Sequence, residues 1–277
     1  MAAAAFTFLA MLAFAGNSLL CRVALKTTAI DPASFTTIRI VSGALTLWLI
    51  VRVRDASAAG EGNWPSAFAL FAYAAAFSFA YLSLTAATGA LILFGSVQVT
   101  MIGWGIRSGD RPGAWQIAGV LCAFAGLVGL LLPGLSAPPL VGATLMLVAG
   151  VAWGAYSLRG RGAGDPTRVT AGNFLRAVAF SAVLTLAMLP AMSLDAAGIA
   201  YAVASGALAS GVGYALWYTA LKDLGRTTAA TLQLSVPVLA AAGGIVFLGE
   251  ALNARLVIAS AVILGGISAT ILGAPRR

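Results

Sequence analysis

Apolar runs broken only by small or isolated polar residues follow one another along the whole chain. They predict spans at 3–24, 34–53, 66–84, 88–106, 115–132, 140–158, 170–190, 197–219, 227–248 and 254–272. Each is close to the ~20 residues that a helix needs to cross the hydrocarbon core of a bilayer. A lone strand in lipid would leave its backbone groups unpaired, so every span is predicted helical. Several connections are so short that the helices they join must be antiparallel neighbours. The expected fold class is an all-α polytopic membrane protein of ten transmembrane helices.

Composition strengthens this picture. Of the 277 residues, 61% are hydrophobic and 9% charged, against about 25% charged in a soluble domain. The net charge of +8 would suit nucleic acid only if the basic residues shared one face, and here they are scattered between apolar runs. If the N-terminus is inside, the inner side collects Arg52, Arg54, Arg107, Arg111, Arg159, Arg161, Arg168, Lys222, Arg226, Arg276 and Arg277. The outer side has Arg22, Lys26, Arg39 and Arg255, and Arg176 lies just inside the seventh span on the inner side. The positive-inside rule then predicts a bacterial-type inner (plasma) membrane protein with both termini cytoplasmic. The first segment lacks a basic n-region, so no cleavable signal peptide is expected. Cys21 and Cys122 both fall in apolar runs and read as small core residues. The chain has no His, the commonest metal ligand and general base, and neither a metal nor another cofactor is expected.

An internal repeat organises the spans. At an offset of 139 residues, Phe14-Ala-Gly-Asn17-Ser18-Leu19 meets Trp153-Gly-Ala-Tyr156-Ser157-Leu158, and Arg22 meets Arg161. At the same offset Thr88 through Val97 meets Thr227 through Val236, and with a two-residue gap Arg39 meets Arg176. Alanine-rich helices match by chance, but a shared offset is not a chance property. The units, 1–135 and 139–275, hold five spans each. Five is odd, so the second copy enters from the opposite side and the repeats are inverted. Secondary transporters are commonly built this way, because exchanging the conformations of the halves reverses the open face.

In its second half the chain carries Gly213-Tyr214-Ala-Leu-Trp217-Tyr218-Thr-Ala-Leu221, Ala229-Ala230, Ser235-Val-Pro237-Val238, Leu248-Gly249-Glu250 and Gly265-Gly266. Gly16-Asn17, Arg22, Pro32 and Ile38-Arg39 stand in the first half. In this order and with this span count, the chain resembles the EamA-type ten-helix proteins of the drug/metabolite transporter superfamily. Two positions depart from that pattern: Gln98 stands where the family has Pro, and Gly109-Asp110-Arg111 where it has Gly-Glu. Trp153 within Ala-Trp-Gly-Ala-Tyr156, with Leu82-Ser83-Leu84, is similar to the YddG-like amino-acid exporter branch. The resemblance implies a secondary transporter exporting small metabolites, amino acids with aromatic or hydrophobic side chains first, and drugs or other metabolites as the alternative. Its partners would be a small-molecule substrate and the lipid bilayer, with no nucleic acid, in a monomer.

Polar groups within a span are expensive unless paired or facing a cavity, so candidate substrate contacts are sought among them. Asn17 lies mid-span, where an interhelical hydrogen bond is the plain alternative. Ser96 and Gln98 in the fourth span match Ser235 and Gln233 in depth in the ninth. Each pair is spaced i and i+2, so at most one member need face a cavity. Trp153 and Tyr156 share a helix face, as do Tyr214, Trp217 and Tyr218. For Trp217 and Tyr218 a belt at the membrane interface is the ordinary reading. Phe79 and Tyr81 in the third span complete the set. Arg39 and Arg176 are candidate gates or carboxylate-attracting sites, with snorkelling to the headgroups as the alternative. Pro237 is a candidate hinge, Gly150-Val-Ala-Trp-Gly154 permits close helix approach, and Glu250 is expected to cap or pair locally.

No Asp or Glu lies mid-span, which predicts a facilitator or exchanger driven by the substrate gradient. An intramembrane protease is the rival enzyme, through Gly162-Ala-Gly164-Asp165, but that string sits in a loop without a second buried Asp. The protein is therefore expected not to be an enzyme. A receptor or structural bundle is the remaining alternative.

Overall fold

The computed structural model describes residues 2–54, 61–109, 113–132, 134, 137–160, 164–220, 224 and 232–272. Ten helical spans appear among them: α1 (Ala2–Thr27), α2 (Pro32–Arg54), α3 (Trp64–Ala80), α4 (Ala86–Arg107), α5 (Ala114–Leu131), α6 (Leu140–Arg159), α7 (Pro166–Ala187), α8 (Ala196–Ala220), α9 (Ser235–Leu248) and α10 (Ala254–Leu272). Eight are long and apolar enough to cross a membrane, while α3 and the described part of α9 are shorter. The third span therefore ends at Ala80 rather than the expected 84, because the chain turns at Tyr81 to begin α4. Arg111, Arg161, Lys222, Arg226, Arg276, Arg277 and most of the expected start of the ninth span lie outside the described residues.

Polar caps cut the apolar chain into helices. Asp31 accepts from the Ala33 and Ser34 N–H groups and Pro32 opens α2; Asp165 accepts from Thr167 and Arg168 and Pro166 opens α7. The donors they satisfy have no partner within the helix, and Pro there has no N–H to lose. Asn63, Thr85, Asp195 and Asn253 cap α3, α4, α8 and α10 in the same way. Gly249, in a left-handed conformation with φ 61°, ends α9.

Large apolar side chains point outward: Phe8, Leu49, Trp115, Phe124, Leu186 and Phe247 are all exposed. Polar side chains such as Asn17, Arg39, Ser78 and Asn173 are buried. Polar groups inside and apolar groups outside are what a bilayer demands. Small residues bring the helices together. On α5 and α10, a Cβ placed on Gly119 would stand 2.5 Å from the Gly266 carbonyl. On α6, Gly150 and Gly154 receive Ser96 and Thr100 of α4, which is the close approach expected of that motif.

The packing repeats under exchange of each helix with the one five later. α1 packs on α8 as α6 packs on α3, α1 on α9 as α6 on α4, and α2 on α8 as α7 on α3. The pairs α2–α7, α4–α9 and α5–α10 map onto themselves. One departure is local: Ser205–Val212 in α8 is π-helical, whereas its partner α3 is α-helical throughout. Below, the near face is the one where α1 starts and the far face the one where α1 ends.

Candidate functional site

At the centre, α1, α2, α3, α6, α7 and α8 bring polar and aromatic side chains into one buried cluster. Asn17 donates to Tyr73 Oη (3.3 Å) and accepts from Ser205 Oγ (2.6 Å). Arg39 donates from Nη2 to the same Tyr73 oxygen (3.1 Å). Its guanidinium lies over the Phe77 and Tyr73 rings, 4.9 and 5.2 Å from their centroids. With 2% of its surface exposed, Arg39 does not snorkel. Ser205 lies at the first position of the π-helical segment, so the irregular stretch of α8 is anchored on α1. Such segments recur at functional sites.

An aromatic wall adjoins these groups. Trp153 stacks on Tyr214 (5.4 Å, 22°) and meets Tyr73 (4.9 Å) and Tyr156 (5.4 Å). Parts of the wall obey the repeat. Trp153–Tyr73 has its counterpart in Phe14–Tyr214 (5.7 Å), and Tyr73–Phe77 (5.4 Å) in Tyr214–Tyr218 (6.2 Å). Toward the near face the Tyr156 hydroxyl donates to Thr170 and accepts from Asn173, and Thr170 donates to Tyr218. Trp217 is buried against Phe14 (6.0 Å). Trp217 and Tyr218 thus turn into the bundle and form no interface belt, because Phe14 and Thr170 give them packing and a hydrogen bond there.

At the far face, Arg22 Nε lies 3.1 Å from Glu250 Oε1, and Arg22 Nη1 donates to the Tyr81 carbonyl (2.9 Å). Glu250 Oε2 accepts from the Ala86 N–H (2.8 Å), the first residue of α4. Glu250 therefore pairs not locally but with helices remote in sequence, because the turn at Gly249 aims it back over α1 and α4. Tyr81, fully buried, sits beneath this knot with its ring against Phe77 (4.8 Å). At the same face a cavity of about 240 Å³ is lined by residues including Ser83, Thr88 and Asn253. At the near face a cavity of about 90 Å³ is lined by Val51, Arg54, Asp165 and Arg168.

Of the candidate residues, the structure brings together Asn17, Arg39, Trp153, Tyr156 and Tyr214, with Tyr81 joined through Phe77. Ser96 donates to the Ile92 carbonyl on its own helix, and Ser235 to the Leu232 carbonyl just ahead of α9. Gln98 is buried on α4 and Gln233 half-buried, and neither hydrogen-bonds to the cluster. Phe79 is half-buried, off the face that Tyr73, Phe77 and Tyr81 share. Arg176 stays at the near face, donating to Gly172 and to the Glu61 carbonyl. Pro237 sits in the first turn of α9, just past the turn at Leu234 that separates it from helical Leu232 and Gln233. Cys21 is buried, but Cys122 is exposed on α5 and is no core residue, because Gly119, Ala123 and Gly126 take the face toward the bundle. Asp165 serves as a cap and pairs with Arg54 at 3.4 Å; residues 162 and 163 of its protease-like string lie outside the described set. Among the described residues there is no cluster of His, Cys, Asp or Glu able to hold a metal.

Tyr73, Phe77 and Ser205 were not among the sequence candidates. The i, i+4, i+8 spacing of Tyr73, Phe77 and Tyr81, echoed by Tyr214 and Tyr218, was the signal for the first two. Ser205 carries no comparable mark.

The model of the EamA-like transporter family matches residues 140–272. An uncharacterized protein of Pseudomonas aeruginosa is 58% identical over 98% of this chain and 94% of its own. The threonine/homoserine exporter RhtA of Salmonella typhimurium is 36% identical over 52% of this chain, which spans 50% of that exporter's length. A protein of known crystal structure, 23% identical, aligns over 99% of both chains with a TM-score of 0.71, which is a likeness of fold.

Proposed function

The chain belongs to the EamA-like transporter family of the drug/metabolite transporter superfamily, and from that premise we propose that it exports amino acids by alternating access. Membership makes it a polytopic transporter of small metabolites in a bacterial-type inner membrane, and neither an enzyme nor an inert bundle. The moving units are the five-helix halves 1–135 and 139–275, with both termini cytoplasmic and the monomer as the working form. The observation that carries the reading is the central cluster, because both halves build it. Asn17, Arg39 and Tyr73 come from the first, and Trp153, Tyr156, Ser205 and Tyr214 from the second. A molecule held there is exposed to one face or the other as the halves rock.

The threonine/homoserine exporters among the relatives support amino acids as the class, and the Trp153–Tyr214 stack favours aromatic or hydrophobic side chains. Every acidic residue described, namely Asp31, Glu61, Asp165, Asp195 and Glu250, sits at or beyond a helix end. This supports transport driven by the substrate gradient, since proton-coupled carriers bury a titratable group along the route. Counterflow in proteoliposomes over a panel of amino acids, nucleotide precursors and cationic drugs tests the proposal. Exchange of phenylalanine and leucine is expected, unchanged by an imposed pH gradient. Movement of the drugs alone overturns the amino-acid assignment, and proton-driven accumulation overturns the energetics.

A further inference from the structure

The central cluster holds a positive charge that its protein contacts leave unbalanced. Arg39 is 2% exposed. Nη2 reaches Tyr73, and the guanidinium face rests on Phe77 and Tyr73. Nη1, equally buried, has no hydrogen-bond partner. No carboxylate among the described residues faces it. Asp31, Asp165 and Asp195 cap helices, Glu61 lies ahead of α3, and Glu250 is bound to Arg22 and Ala86.

A guanidinium does not lose its proton in a protein, so burial cannot neutralise it. The two aromatic faces offset part of the desolvation cost. They bind the flat side of the group and leave its edge for an in-plane acceptor. Its planar fork matches the two oxygens of a carboxylate. Asn17 and the Tyr73 hydroxyl supply neutral polar atoms beside the charge, and Tyr214 of the other half joins them through Trp153.

We propose that Arg39 binds the carboxylate of the transported molecule through Nη1, so that the chain selects small monocarboxylates of amino-acid type and rejects cations. The proposal rests on the transport reading and names the group recognised. It also explains why Arg39 and Arg176, equivalent in the repeat, differ: one half supplies the anion anchor at the centre, and the other half's arginine ties a loop at the near face.

The test uses purified full-length protein and four probes: leucine and phenylalanine, each beside its carboxamide. In the wild type each acid is expected to bind about 10- to 100-fold more tightly than its amide, the range for one hydrogen bond to a charged group. In Arg39→Gln the acids weaken by that factor and the amides do not change. Arg39→Lys, which keeps the charge but not the fork, retains a reduced preference for the acid. A folded Arg39→Gln protein with the wild-type ratio of acid to amide binding overturns the proposal, as does equal loss of both. If Arg39→Gln does not fold, Arg39→Lys decides, and absence of acid preference in it overturns the assignment. Should wild-type binding depend on Arg39 in this way while liposomes exchange no amino acid, the anchor stands and the export reading falls. Equal exchange by wild type and Arg39→Gln leaves export standing and removes the anchor.

Discussion

At the far face Arg22 and Glu250 are 12% and 6% exposed at the side chain and 3.1 Å apart, and they tie α1 to the ends of α3, α4 and α9. At the near face Arg54 and Asp165 are 48% and 33% exposed and 3.4 Å apart. The residue types are alike, but the surroundings are not. The far pair is shielded from water, where attraction is strong and an unpaired partner is costly. The near pair is screened and worth about 0–1 kcal/mol. Among the described residues, the far face thus carries one shielded ion pair, while the near face carries scattered ties such as Arg159 to Ser66 and Asn63 N–H to Asn173. The repeat makes the asymmetry visible in the chain itself. At the offset of 139, Arg22 and Glu250 correspond in sequence to Arg161 and Arg111, both outside the described residues.

Breaking the shielded pair is the largest effect expected. Glu250→Ala leaves the half-buried Arg22 with only the Tyr81 and Leu82 carbonyls as partners, at a cost of up to about 3 kcal/mol. It also frees the Ala86 N–H. Cys21, fully buried one residue from Arg22, reports the outcome once the exposed Cys122 is replaced by Ala. A membrane-impermeant maleimide is expected to label Cys21 from the far face in Glu250→Ala and from neither face in the parent. The swapped pair Arg22→Glu with Glu250→Arg should restore much of the protection. If Cys21 stays as inert in Glu250→Ala as in the parent, the far face is held shut by something else.

The contrast between the halves also shows how far the sequence reaches. The spans were legible because apolar runs are cut by strong local signals, such as Asp31-Pro32 and Asp165-Pro166, that need no tertiary context. The repeat was legible too, and the helix packing obeys the exchange it implies. The site was legible only in part, because helix rotation decides which polar residue faces inward. Arg39 and Arg176 occupy equivalent positions, yet one meets Tyr73 and the other a loop carbonyl. Ser96 has the depth of a pathway residue but is spent against Gly150. The π-helical segment of α8 left no mark in the sequence beyond its small residues, since what accompanies it is the packing of α8 on α2.

That packing supplies the second, intermediate effect. A Cβ on Gly206 would collide with Ser42 Oγ and the Arg39 carbonyl, one a rigid backbone atom beside the anchor. Gly206→Ala should destabilise by about 1–3 kcal/mol, the range for overpacking, and lower the apparent melting temperature in detergent. Gly16→Ala is the comparison, since nothing lies within 4 Å of its added methyl; it should be neutral or gain up to about 1 kcal/mol from helix propensity. Equal behaviour of the two variants would show that α2 and α8 yield at their crossing, and that the irregular segment is soft.

The smallest effect belongs to the near face. Burial raises the Asp165 carboxyl, but the N–H groups of Thr167 and Arg168 and the charges of Arg54 and Arg168 outweigh it, so the group titrates below its ordinary 3.8. A depressed folded value means that its stabilisation is complete above 3.8 and is lost as pH falls through the lower folded value. Between pH 5 and 8, therefore, about nothing should change with pH on its account. Arg54→Ala removes one of the lowering charges, so Asp165 should begin to protonate at a higher pH and the acid limb of the stability curve should move up slightly. At neutral pH the variant should lose at most about 1 kcal/mol, and less in high salt, which screens an exposed pair. The loss in Glu250→Ala should persist better in the same salt, because that pair is largely shielded from water. Melting curves of both variants at low and high salt make the comparison direct. A loss in Arg54→Ala as large and as salt-resistant as that in Glu250→Ala would mean that the near face carries a shielded pair of its own.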